Sequence, residues 1–195
     1  MACTGLIDAD ILYDCDNGSV GGLEVDVVLI NRADLDLAAL TYDPANKLKL
    51  TNLALKATKT GYLLKSVKQV HSTNYELVPK DTGVDKVSHV FNGLILTPSA
   101  DNKLQLQNMK DGADLVAVVE KKWKGVDDAD AFEVLGIESG LILTAVSYTS
   151  TENDGAITFT LSSQEGYEEP KLPLNLLETD YATTKTAFGN KFASA

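Results

Sequence analysis

The chain has 195 residues, 44% of them hydrophobic and 23% charged, which suits one globular domain able to bury a core without staples. Its 17 Lys and Arg against 28 Asp and Glu leave a formal charge of −11, which argues against an outer surface that grips nucleic acid; DNA can still pass such a surface without sticking. The two cysteines, Cys3 and Cys15, have no CxxC spacing and no histidines nearby, so they make no zinc site and are expected to stay reduced and unimportant to the fold.

Residues 1–22 are rich in Asp, Gly and Asn, with Leu6-Ile7 and Ile11-Leu12-Tyr13 as their apolar spots, and read as an extended arm. Met1–Tyr13 has neither a basic start nor a continuous apolar stretch, so it does not read as a signal peptide. No window approaches the ~18 apolar residues of a membrane span, so the reading is of no membrane partner. Residues 23–195 read as a single β-rich domain. Leu23–Ile30 opens it as a strand, with Leu23, Val25, Val27 and Leu29 on one face and Glu24 and Asp26 on the other. Tyr42-Asp43-Pro44-Ala45 is a turn. Lys47–Lys56 alternates, then slips by one residue at Thr51-Asn52, the mark of a β-bulge.

Gly61–Ser72, Asn74–Val78 and Lys86–Thr97 follow as strands, with Gly93 expected to be a bulge or twist point. Ser99 caps a helix over Ala100–Asp111, which Gly112 ends; its thin apolar face, Leu104, Leu106 and Met109, predicts a place on a sheet edge. Leu115–Val119 is a short buried strand, and Lys121–Asp130 is a charged loop. The segments Phe132–Gly136, Leu141–Tyr148 and Ala156–Ser162 read as a three-stranded antiparallel meander. Asp154-Gly155 supplies the positive φ of its hairpin turn, and Ile157, Phe159 and Leu161 share one face. Gly166–Pro173 reads as irregular, and Thr179-Asp180 caps a last helix, Tyr181–Phe188, ended by Gly189. Many strands joined by short turns, with one helix mid-chain, predict a mainly β fold: a β-sandwich or barrel with one flanking α-helix, an extended N-terminal arm and a short C-terminal helix.

Catalytic and metal chemistry find little support. His71 lies beside Ser72, but neighbours on a strand point to opposite faces, so no triad forms and His71 reads as a polar strand-end residue. His89, in a Val-Phe strand, reads as a satisfied half-core histidine. Asp127, Asp128, Asp130 and Glu133 are too tightly spaced for a calcium loop, and Asp14, Asp16 and Asn17 begin such a loop without completing it. Gly18, Gly21 and Gly22 match no phosphate loop. No cofactor is expected, and no enzyme. Lys121, Lys122 and Lys124 around Trp123 read either as a contact loop between subunits or as a solvated charged loop.

The stretch Ala131-Phe132-Glu133-Val134-Leu135-Gly136-Ile137-Glu138-Ser139-Gly140-Leu141 resembles the turn before a long hairpin in tail-tube-like structural proteins of tailed-phage virions. Gly166-Tyr167-Glu168-Glu169-Pro170 and Asp180-Tyr181-Ala182-Thr183-Thr184-Lys185 resemble C-terminal parts of such proteins in the crAss-like phages of gut bacteria, as do Asp14-Cys15-Asp16-Asn17 and Gly21-Gly22-Leu23 near the start. The resemblance implies subunits side by side in a ring, a hexamer or larger, of the tail or neck. Such rings stack around a DNA channel, touch neighbouring tail, portal or neck proteins, and let genomic DNA pass without specific binding. It places the protein in the virion after synthesis in the host cytoplasm. The alternative reading is a capsid-decorating or carbohydrate-binding β-sandwich module. Candidate assembly contacts are Trp123, Lys121, Lys122, Lys124, Cys15, Leu23, and the hairpin-tip residues Glu152 and Asp154.

Overall fold

Two strands that bury both of their faces hold this fold together, β1 (Leu23–Asn31) and β7 (Leu115–Lys121), paired antiparallel from Val27–Val119 to Asn31–Leu115 in a computed structural model that describes Ile7 and residues 9–193. Val28, Ile30, Val116 and Val118 enter one core, while Val27, Leu29, Leu115, Ala117 and Val119 enter another. Side chains alternate along a strand, so a near-continuous apolar run needs a covering layer on each side. The bulge in the β1–β7 ladder between Leu23 and Val27 lets Leu23 join Val27 and Leu29 in the second core.

The remaining strands are β2 (Thr41–Tyr42), β3 (Lys49–Asn52), β4 (Tyr62–Lys65), β5 (Ser72–Val78), β6 (Lys86–Ile95), β8 (Phe132–Leu135), β9 (Leu141–Tyr148), β10 (Ile157–Ser163) and β11 (Leu174–Leu176). The helices are α1 (Ala100–Lys110) and α2 (Tyr181–Gly189). All the strands belong to one sheet that folds over on itself. One half runs β4-β1-β7-β8-β11-β3-β2, the other β9-β10-β6-β5, and a single pair, Leu115–Leu141, joins them. Phe91, Ile157, Phe159 and Leu161 of the second half pack on Leu29, Ala117 and Val119 of the first, so the halves form the two layers of a sandwich. The mainly β architecture with a flanking helix and a C-terminal helix is as the sequence predicts.

Several details follow the sequence. Ser99 Oγ accepts from the Asn102 N–H to cap α1, Asp180 accepts from the Thr183 N–H to cap α2, and Gly112 takes φ +118 just past α1. Thr51 is the extra residue of a bulge, since Tyr42 pairs with Leu50 while Thr41 pairs with Asn52. β9 and β10 form the expected hairpin, with Asp154 at φ 56 and Gly155 at φ 72 in its turn, and Ile157, Phe159 and Leu161 buried in the chain's own core.

Others correct it. The three-stranded meander does not exist: β8 pairs with β7 and β11, and β7 stands between β8 and the hairpin. The turn from Gly136 to Gly140 carries the chain from one layer toward the other, which adjacent strands of a meander would not need. The strand expected over Gly61–Ser72 stops at Lys65, because the chain crosses between layers before β5. Gly93 is not a bulge, since the β6–β10 register runs unbroken through it. A Cβ there would stand 2.3 Å from Phe159 Cζ, so the missing side chain makes room for the ring. The bulge sits instead in the β9–β10 pair, between Thr160 and Leu161. Leu104 is exposed, leaving Leu106 as the buried residue of α1. β11, inside a segment without strand periodicity, pairs parallel to β3.

Candidate assembly surfaces

The Trp123 loop leaves β7 and is tied down within its own chain. Lys122 Nζ pairs with Glu24 Oε2 at 2.8 Å, and Lys121 Nζ donates to Asn175 Oδ1 at 3.1 Å while standing 3.9 Å from Glu133. Lys124 Nζ donates to Glu120 Oε1 at 2.9 Å and to the Tyr181 hydroxyl at 2.8 Å. Trp123, half-buried, donates its indole N–H to the Asn17 carbonyl at 3.0 Å and so pins the base of the N-terminal arm. The three lysines therefore make intramolecular links, and the loop is not a free basic patch. Leu23, expected at an assembly contact, is a core residue at 5% exposure and offers no surface to a partner. Cys15 is an exposed free thiol, and Cys3 lies outside the described residues. Glu152 and Asp154 are exposed at the hairpin tip.

Sequence reading missed the buried charge behind that loop. Glu120, buried on β7, accepts from Lys124, from the Tyr181 hydroxyl at 2.7 Å and from Lys185. Burial alone would raise its pKa, but the hydrogen bonds from Lys185, Lys124 and Tyr181 outweigh it and hold the carboxyl below its ordinary value. Lys124 is raised in turn: burial opposes its charge, and its bonds to Tyr181 and Glu120 outweigh that. This network docks α2 on the sheet; the run Val118-Val119-Glu120-Lys121 carries no signal that its glutamate points inward.

The stretches Ala131–Leu141 and Gly166–Pro170 meet in space. Glu169, almost fully buried, accepts from the backbone N–H groups of Ser139 at 2.7 Å and Glu138 at 3.1 Å, so Glu168-Glu169-Pro170 plugs the Gly136–Gly140 turn. Burial pushes the Glu169 carboxyl up, against the pull of these N–H groups. Arg32 caps the same turn by donating to the carbonyls of Ile137 and Glu138. Glu168 is held down to about 2 by the Gly166 N–H and by Lys80, whose ammonium is 2.9 Å away.

The two histidines differ. His89 Nδ1 accepts from the Gly136 N–H at 3.2 Å, so Nε2 carries the proton and donates to the Lys171 carbonyl at 3.0 Å. It is a satisfied core histidine, and burial lowers its pKa to about 4. His71 is not the polar strand-end residue expected. It is 4% exposed, its ring lies 5.8 Å from Phe91, and neither ring nitrogen has a hydrogen-bond partner. Burial lowers its pKa too, against the attraction of Asp26. No nucleophile is hydrogen-bonded to either ring. Among the described residues no group of three or more His, Cys, Asp or Glu side chains could hold a metal ion. No helix among them is long and apolar enough to cross a membrane.

The exposed features with most chemistry are sheet edges. Among the described residues β5 pairs only with β6, β4 only with β1, and β9 beyond Leu141 only with β10. In the register, Tyr75 stands opposite His89, Leu77 opposite Val87, Val146 opposite Phe159 and Tyr148 opposite Ile157. Directly opposed residues share a face, so these four continue the buried inner face of their layer. Yet they are 50%, 64%, 51% and 54% exposed. The inner face is wider than the layer that covers it.

Comparison with protein-family models, with curated proteins and with solved structures returned no match.

Proposed function

We propose that this chain is a self-assembling structural protein, a subunit of a ring in the tail or neck of a tailed-phage virion through which DNA passes. The observation that carries self-assembly is the overhang: Tyr75, Leu77, Val146 and Tyr148 extend an apolar face past its cover, on strands whose outer edges are unpaired. Unpaired edges with apolar flanks are templates for another chain, and a protein that must stay monomeric blunts them. In a ring, each subunit's edge is closed by its neighbour. The phage setting rests on the resemblance of Ala131–Leu141 and Gly166–Pro170 to tail-tube-like proteins. The charge of −11 suits a lumen that lets DNA slide.

The particle mass over a dilution series tests the first part. Ring-sized particles that dissociate on dilution support it, and a monomer at every concentration up to the highest attainable overturns it. Mass spectrometry of purified phage particles tests the second, where absence of the chain from virions would remove the phage setting and leave self-assembly standing.

A further inference from the structure

We propose that the N-terminal arm of one copy, residues 9–16, docks into the groove beside β4 of a second copy. This rests on the self-assembly reading and adds a second pair of surfaces to the β5 and β9 edges. The groove has a volume of about 810 Å³ and runs between β4 and α1, over a floor of Leu29, Ala113, Leu115 and Phe159. Tyr62, Leu63 and Val67 along its lip are 56%, 46% and 78% exposed. It is also the reverse of the molecule's charge: its lining includes Lys65 and Lys191 and not one carboxylate, in a chain with 28 acidic residues. Among the described residues neither ammonium is paired with a carboxylate.

The arm complements it. Ile11, Leu12 and Tyr13 are 90%, 83% and 77% exposed, among the most exposed large apolar side chains described, and Asp10, Asp14 and Asp16 flank them. Residues 9–22 form no strand or helix, so the backbone of Asp10–Tyr13 is free to pair with the open edge of β4. An extended segment added to an edge strand gains main-chain hydrogen bonds, while its side chains enter the adjoining pocket.

The exposure of both surfaces within one chain favours another copy's arm over the chain's own. The Trp123–Asn17 hydrogen bond fixes the arm's base near Leu23, at the start of β1, whereas the groove floor lies by Leu29 and Leu115, toward the end of β1. In its own chain the arm does not fill the groove: Ile11, Leu12 and Tyr13 are exposed, and so are Tyr62, Leu63 and Val67 along the lip. An arm that meets the groove of the next copy builds head-to-tail into a ring or filament, and one exchanged reciprocally closes a two-fold dimer.

A mixing experiment on full-length protein tests this. One variant, Ile11→Asp with Leu12→Asp, has a groove and no apolar arm; the other, Leu63→Glu with Val67→Glu, has an arm and no apolar groove. All four positions are exposed, so both variants should melt as the wild type does. Each alone should need about 100-fold more protein to assemble, and mixed together they should pair one-to-one, the arm of one variant on the groove of the other, at wild-type concentrations. If wild type assembles and either variant assembles equally well, the docking is wrong and self-assembly stands. If wild type never assembles, self-assembly itself is wrong. Oxidation of Leu96→Cys in a Cys3→Ser background separates the two routes through native Cys15. A disulfide between chains supports docking on a neighbour, and one confined to single chains overturns it.

Discussion

The two cores on either side of the β1–β7 pair are closed in opposite ways. On one side α2 lays Phe188 and Tyr181 against Phe132, Phe192 meets Phe188 edge-on, and Glu120 ties Lys124, Tyr181 and Lys185 together beneath the helix. On the other side α1 buries Leu106, half-covers Met109 and leaves Leu104 in solvent, with a groove of about 810 Å³ beside it. One face is finished within the chain and the other is left open, to be covered by another copy under the proposed self-assembly. Apolar surface that a chain does not cover itself costs solubility unless something else covers it, so the open side is where function is expected.

The closed side should be the easier to break. Glu120→Ala removes the shared partner of two ammonium groups and a phenol, and should cost about 3 kcal/mol in urea unfolding. A loss under about 1 kcal/mol would mean that aromatic packing alone docks α2. Next comes pH. His89 is neutral in the fold, with a pKa of about 4 against about 6.5 unfolded, so the unfolded chain binds more protons between those values. Its contribution is complete above pH 6.5 and is lost as pH falls to 4. The loss is about 3 kcal/mol. Buried Glu169 and half-buried Glu133, whose carboxyls are raised by desolvation, act in the opposite sense over part of this range. Comparison with His89→Gln, which keeps one acceptor and one donor, isolates the histidine: the variant should show a flatter acid limb, and equal slopes would contradict the assignment.

His71 should respond with the opposite sign to a similar change. Its ring nitrogens are buried and unpartnered, so His71→Leu removes a desolvation cost and should raise stability by about 1 kcal/mol. A clear loss would show that a partner satisfies the ring. The smallest effect belongs to the hairpin tip, where Glu152→Lys with Asp154→Lys should shift stability by less than about 0.5 kcal/mol. Under the ring reading the same change disturbs stacking or DNA passage, and phage particles of normal yield and infectivity would count against a tip at the rim or lumen.

What could be read in advance follows from the range over which each signal acts. Caps, the Asp154-Gly155 turn, the Thr51 bulge and the alternation of β10 are local, and each left its mark in a few adjacent residues. Strand neighbours are not local. Phe132–Leu135 and Leu141–Tyr148 look like successive strands of a meander, and nothing within them says that β7 intervenes. The run Leu115–Val119 did signal burial on both faces, and that was the clue to its central place. Three-residue β11 is too short to show a period and exists because β3 and β8 offer it edges. Trp123 reads as an anchor between subunits, and in the structure it holds the arm of its own chain. Lys124 apart, the Glu120 network and the Glu169 plug join residues 30 or more positions apart through charges that look solvated in sequence.

The central claim is that the open edges are closed by other copies of the chain, and amide hydrogen exchange at two concentrations tests it most directly. Between a dilute monomer and the assembled protein, the account predicts new protection at Tyr62–Lys65, at Ile142–Tyr148 and over Asp10–Tyr13, with the amides of α2 unchanged. Edge amides that exchange equally fast in both states, or protection confined to α2, would contradict it.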